Sequence, residues 1–181
     1  PGPAPLALAA AGAVFGVRRS LPFLMGILLG LAVAISGAAL GLNVLFEAFP
    51  EAVFVMQLVG AAYLLFIAFK IATAPVISPG LETGEYAPTF VHGFVLNLMN
   101  PKAYAAFVAI FSQFLLPTVP KAWAFALTGV LCFLVALVVD VVWLCLGGLM
   151  RPLFTRPQSA RVLRLLLAVL MLVSVAWVIW Q

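Results

Sequence analysis

Long apolar runs, separated by short clusters of charge, proline and glycine, set the layout of this chain. Leu21–Phe46, Ala52–Ala74, Thr89–Leu116, Ala122–Gly148 and Val162–Trp180 each reach the roughly 17–25 residues that carry a helix across hydrocarbon. A further run, Leu6–Phe15, is too short to span. The chain starts at Pro1 without an initiator methionine, so the first helix is expected to be cut at its start, with its remainder upstream. The connectors are Gly16–Ser20, Glu47–Glu51, Pro75–Pro88, Pro117–Lys121 and Leu149–Arg161; only the third and fifth exceed a tight turn. The pattern predicts an all-α membrane bundle of six helices in one domain, 1–181. Repeat one covers 1–74, a connector 75–88, and repeat two 89–181.

Composition agrees with that layout. With 66% hydrophobic and 8% charged residues and a mean hydropathy of +1.28, the chain holds more apolar surface than a soluble domain of 181 residues can bury. The net charge of +4 does not point to nucleic acid, because the nine basic residues are spread over segment ends rather than gathered in a patch. The lipid bilayer is the expected partner. Arg18, Arg19, Lys70, Arg151, Arg156, Arg161 and Arg164 flank alternate connectors, which the positive-inside rule places in the cytoplasm with both termini outside. Trp123, Trp177 and Trp180 at segment ends suit an interfacial aromatic belt.

Two proline breaks interrupt the apolar segments: Pro1-Gly2-Pro3, and Asn97-Leu98-Met99-Asn100-Pro101-Lys102. Proline removes a backbone donor, and freed polar groups inside a membrane must face protein or water. Each half of the chain opens on such a break, and three helices per half make the halves antiparallel, as two inverted three-helix repeats with helices 1 and 4 broken. Asn100 suits an N-cap and Pro101 the first helical position, so a helix restarts here with its positive end toward the break. An anionic group such as an amino acid's carboxylate is the natural guest. Lys102 adds a cation; its bland reading is a snorkelling lysine beside a structural kink.

Asp140 is the acidic residue inside a span. It either titrates and couples protons to transport, or forms a fixed salt bridge with Lys102 or Lys70. Asn97 contacts substrate or covers freed backbone. Tyr63 and Trp143 shape a pocket or merely pack. His92 suits an interfacial role, and Gly26, Gly30, Ala34 and Ala38, spaced by four, let another helix approach closely; Gly37 and Gly41 form a second small pair. Cys132 and Cys145 lack CxxC spacing and neighbouring His, which argues against redox and zinc chemistry; no cofactor, metal or catalytic residue is expected.

Taken in order, Pro1-Gly2-Pro3-Ala4, Gly16-Val17-Arg18-Arg19-Ser20 with Gly26 and Gly30, Gly60-Ala61-Ala62-Tyr63-Leu64 with Lys70, Gly93-Phe94 with Asn97, Asn100-Pro101-Lys102, Gln113-Phe114 and Asp140-Val141-Val142-Trp143 resemble the LysE/RhtB amino-acid exporter family. The resemblance implies a six-helix exporter of amino acids or related metabolites in the bacterial inner membrane, driven by protons. The small-residue face of Gly26, Gly30, Ala34 and Ala38, for its part, suits packing inside the protomer or between two in a homodimer. Carried over by position, Pro1, Gly2 and Pro3 break helix one, Asn100, Pro101 and Lys102 break helix four, and Asp140 matches an acidic position in helix five. Ser20 departs from a common glycine, which should affect only the turn. A metal or inorganic-ion exporter is the competing transporter, although a cation site calls for several inward ligands. A thiol–disulfide electron carrier calls for paired cysteines at the breaks, and a nontransport assembly protein for packing motifs without polar breaks.

Overall fold

The computed structural model describes residues 2–73, 87–115 and 120–152, with a few positions between 162 and 173. Much of the segment Val162–Trp180, most of the connector Pro75–Pro88, and Pro1, Arg156, Arg161, Arg164, Trp177 and Trp180 lie outside the described residues. What is described is helical: α1 (Pro3–Phe15), α2 (Val17–Ala39), α3 (Leu42–Ala48), α4 (Pro50–Ala72), α5 (Phe90–Leu98), α6 (Pro101–Gln113) and α7 (Lys121–Met150). Three of these helices, α2, α4 and α7, are long and apolar enough to cross a membrane. A fourth span forms if α5 and α6, bent by 58° at their junction, count as one. The chain is a multi-pass helical membrane protein.

Several predicted boundaries shift for identifiable reasons. The connector expected at Gly16–Ser20 shrinks to Gly16, which takes φ +85°, a value side-chain-bearing residues rarely adopt; Arg18, Arg19 and Ser20 already belong to α2. The Ser20 hydroxyl, fully buried, donates to the Gly16 carbonyl at 3.0 Å, so this serine closes its own turn. The run Leu21–Phe46 is not one helix. Gly41, in the left-handed region at φ +86°, stops α2 and starts α3, so it serves as a turn. The connector Glu47–Glu51 contracts to Phe49, because Pro50 occupies the first position of α4. Thr89–Leu116 resolves into α5 and α6, with Met99 and Asn100 between them.

The helix α2 is the spine of the assembly. Over its membrane-length window 56% of positions are buried inside the protein, against 17% for α4 and for α7, whose apolar side chains are largely exposed among the described residues. Glycine permits its closest contacts. A Cβ on Gly26 would overlap the Phe90 carbonyl of α5, and one on Gly93 of α5 would overlap the Phe23 carbonyl of α2. Gly30 faces the Phe94 carbonyl and the Asn97 Cβ in the same way. A second contact of this kind joins α1 to α7, with Gly12 against the Leu144 carbonyl and Gly147 against the Ala9 carbonyl. Between membrane helices such close approach supplies the dispersion and weak Cα–H···O contacts that water expulsion would supply elsewhere. Gly26 and Gly30 therefore pack within one protomer.

Replacing Gly26 by valine is expected to destabilise the protein by about 1–3 kcal/mol, because backbone rather than a movable side chain blocks the added atoms. Gly129→Ala, whose Cβ would meet the Ile35 side chain at 3.2 Å, should cost less. Thermal unfolding in detergent micelles ranks the two; equal midpoints would contradict the α2–α5 contact.

Candidate functional site

The second proline break takes its shape from the backbone. Met99 N–H donates to the Val95 carbonyl at 3.0 Å and Asn100 N–H to the Asn97 carbonyl at 3.2 Å, which tightens the last turn of α5. Pro101 then lacks a donor to continue the ladder, and the chain restarts with Ala103 N–H on the Asn100 carbonyl at 3.1 Å. Asn100 holds the expected N-cap position of α6, but its side chain makes no capping bond, so its amide is left to face the space beside the break. On the other side of the junction the Met99 carbonyl rests on Gly60 of α4, where any side chain would collide with it.

Asn97 lies one turn before the break and is 3% exposed. Its Nδ2 donates to the Ile27 carbonyl of α2 at 3.0 Å, seventy residues away in sequence. This bond fastens the end of α5 to the spine and makes Asn97 a structural tie as well as a lining residue. In apolar surroundings an amide without that partner carries a desolvation cost of about 1–3 kcal/mol.

A cavity of about 380 Å³ lies where these parts meet. Gly2 and Pro3 at the start of α1, Asn97, Asn100 and Lys102 around the α5–α6 break, and Asp140 from α7 all line it. The remaining wall is apolar, from Ile27 and Leu31 of α2, Phe107 and Ile110 of α6, and Val135, Ala136 and Cys132 of α7. Asp140 is 6% exposed, and among the described residues no hydrogen bond or ion pair reaches its carboxylate. The expected alternatives of a salt bridge to Lys102 or to Lys70 are therefore not formed. The start of α1 also borders a second, smaller void of about 30 Å³, enough for a water molecule, between Pro3, Gln57, Gly60, Met99, Asn100 and Pro101. Pro3 and Asn100 line both spaces, so the start of α1 and the junction of α5 with α6 meet there.

Other predicted site residues stand apart. Tyr63 does not line the larger cavity; its ring stacks 6.2 Å from His92 and lies 5.9 Å from Phe66, at the face where α4 meets α5. Trp143 is half-buried against the core, one helical turn past Asp140 and outside the cavity lining. Pro101 borders the small void rather than the large cavity. His92 caps α5: its Nδ1 accepts the Thr89 N–H at 2.9 Å. Sequence reasoning missed Cys132 and Gln57 as lining residues. Cys132 lies eight residues before Asp140, about two helical turns along α7 and on the same face, which was the available signal. Among the described residues no three His, Cys, Asp or Glu side chains come close enough to hold a metal ion.

Cys132 offers a direct probe of this geometry. In a Cys145→Ser variant, a small water-soluble methanethiosulfonate is expected to label Cys132, because the cavity it borders also holds charged Lys102 and Asp140 and must admit water. Mass spectrometry reads the outcome, and a Cys132 that stays unlabelled in the folded protein would show the cavity dry.

Comparison with known proteins adds an independent line. The chain is similar to the cysteine/O-acetylserine efflux protein of Escherichia coli K12, 31% identical over 175 residues, which is 94% of this chain and 86% of that protein. The corresponding protein of Escherichia coli O157:H7 is likewise 31% identical, over 176 residues covering 95% of this chain and 86% of its own length. No solved structure matches. The family described as LysE type translocator matches residues 1–179, nearly the full length. Its members are transporters rather than enzymes, and the chain belongs to the LysE type translocator family.

Proposed function

We propose that this protein exports small amino acids or related metabolites, of the cysteine and O-acetylserine kind, across a bacterial inner membrane in exchange for protons. The observation that carries this reading is the cavity in which the start of α1, the α5–α6 break and the lone carboxylate of α7 converge. The names of the similar efflux proteins supply the substrate class and the direction. In the proposed mechanism the substrate carboxylate lies against the start of α6, beside Asn100 and Lys102, where the helix dipole and a cation favour negative charge. Asp140 takes a proton on one side of the membrane and releases it on the other.

The proposed movement is a rocking of two inverted repeats about this site. Its support is a correspondence between halves. Both α1 and α6 are 13-residue helices with proline in their first turn. Each packs against a long helix of the opposite repeat, α1 on α7 and α6 on α2. Inverted repeats require that exchange of partners, since a two-fold axis carrying helix one onto helix four also carries helix five onto helix two.

Two outcomes test the reading in proteoliposomes loaded with L-cysteine, kept reduced, under an imposed inward proton gradient. The wild type should release cysteine faster with the gradient than without it, and Asn100→Ala should weaken apparent affinity about tenfold, the equivalent of 1.4 kcal/mol for one lost polar contact. Unchanged transport by Asn100→Ala would remove the α6 start from the site. Asp140→Asn should abolish the response to the gradient, and gradient-driven efflux retained in that variant would take Asp140 out of proton coupling.

A further inference from the structure

The cavity holds one cationic and one anionic side chain that do not neutralise each other. Lys102 enters it from the first turn of α6, and Asp140 from the middle of α7, and no ion pair joins them among the described residues. An isolated carboxylate in a largely apolar wall is costly, which favours a guest that brings the missing positive charge. A zwitterion carries both complements at fixed separation.

We propose that Asp140 is a substrate-binding residue, holding the α-ammonium group of a zwitterionic amino acid in a site that the same group must vacate before a proton can occupy it. This inference rests on the export reading above and deepens it. Coupling then needs no separate proton path. With Asp140 ionised, the site takes up the amino acid from the cytoplasm, its ammonium on Asp140 and its carboxylate toward Lys102 and the α6 start. On the outer side a proton adds to the Asp140 carboxylate, the ammonium loses its partner, and the amino acid leaves unchanged as the zwitterion. The protonated, empty site returns and releases its proton inside. Each cycle moves one zwitterion out and one proton in, so one positive charge enters per substrate.

The same arrangement limits the side chain. Asp140 and Lys102 are both engaged by the backbone groups of the guest, which leaves Ile27, Leu31, Phe107, Ile110 and Cys132 to receive whatever the substrate carries at its β-carbon. Those residues offer no second carboxylate for a dibasic substrate and no second cation for an acidic one. The only other titratable group in the described lining is the Cys132 thiol of α7; α1, α2 and α5 contribute none. The pH response of binding below neutrality therefore reads Asp140.

The test uses counterflow of radiolabelled L-cysteine in proteoliposomes holding the full chain. 3-Mercaptopropionate, which is cysteine without its amino group, is the competitor. In the wild type, apparent cysteine affinity should fall tenfold for each pH unit once the pH drops below the titration of Asp140, and 3-mercaptopropionate should compete at least tenfold less well than unlabelled cysteine. Asp140→Asn should lose counterflow as well as net efflux, and Asp140→Glu, which keeps the carboxylate, should restore pH-dependent binding at altered affinity. Counterflow by Asp140→Asn at wild-type affinity would overturn the proposal while leaving export intact, because Asp140 would then serve protons alone. Equal competition by 3-mercaptopropionate, a measurement that needs no variant, would overturn it as well. Absence of any cysteine counterflow in the folded wild type would instead remove the export reading and this inference with it.

Discussion

A helix cannot be interrupted inside hydrocarbon unless the freed peptide groups find protein or water, and the second proline break imposes that condition on the bundle. Each neighbour of the break answers it with a specific feature. Gly60 lets the Met99 carbonyl settle onto α4, the last turn of α5 tightens around Asn97 and Asn100, and the Asn97 amide anchors α5 on the Ile27 carbonyl. Those contacts require α5 to lie almost backbone to backbone against α2, which the absence of side chains at Gly26, Gly30 and Gly93 permits. The glycine spacing and the break are thus parts of one solution. Without the close approach, the Asn97 bond would not reach.

Covering one side of the break leaves the other open. Toward α4 the junction is nearly filled, apart from a void of about 30 Å³; toward α7 it borders a cavity of about 380 Å³. This asymmetry gives the uncapped Asn100 and the nearby Lys102 somewhere to act, and it faces them with Asp140 across an apolar wall. A membrane protein that merely tolerated a kink would gain nothing from a lysine and an aspartate that line one cavity and find no ionic partner among the described residues, since each is costly there. Placing both beside a cavity fits a membrane protein whose guest is itself charged.

Much of this was legible in the chain. The apolar runs located α2, α4 and α7, because length and hydropathy decide membrane insertion almost alone. Pro101 marked a helix start, since a residue without an amide proton is tolerated in the first turn and disfavoured beyond it, whereas α1 begins at Pro3, three residues before the apolar run at Leu6 that the sequence suggested. The depth of Asp140 followed from its isolation within an apolar run. Boundaries that depend on positive φ were harder: Gly16 and Gly41 look no different in sequence from the packing glycines Gly26 and Gly30, and only the folded backbone separates turn from contact. Tyr63 and Trp143 were candidates because they are large and deep, yet neither lines the cavity, as rotation about a helix axis decides what a residue faces and a mostly apolar helix carries little record of it. The unmade Asn100 cap belongs to the same class, because composition sets the position while side-chain direction is settled by what lies nearby.

The most direct test of the account is to see where a substrate sits. An electron cryo-microscopy structure of the protein in lipid nanodiscs, bound to L-cysteine above neutral pH, should show density for one amino acid between Pro3, Asn100, Lys102 and Asp140, its carboxylate toward the start of α6. Density at another depth of the bundle, or an empty cavity in protein that transports cysteine, would contradict the claim that the paired breaks build the site.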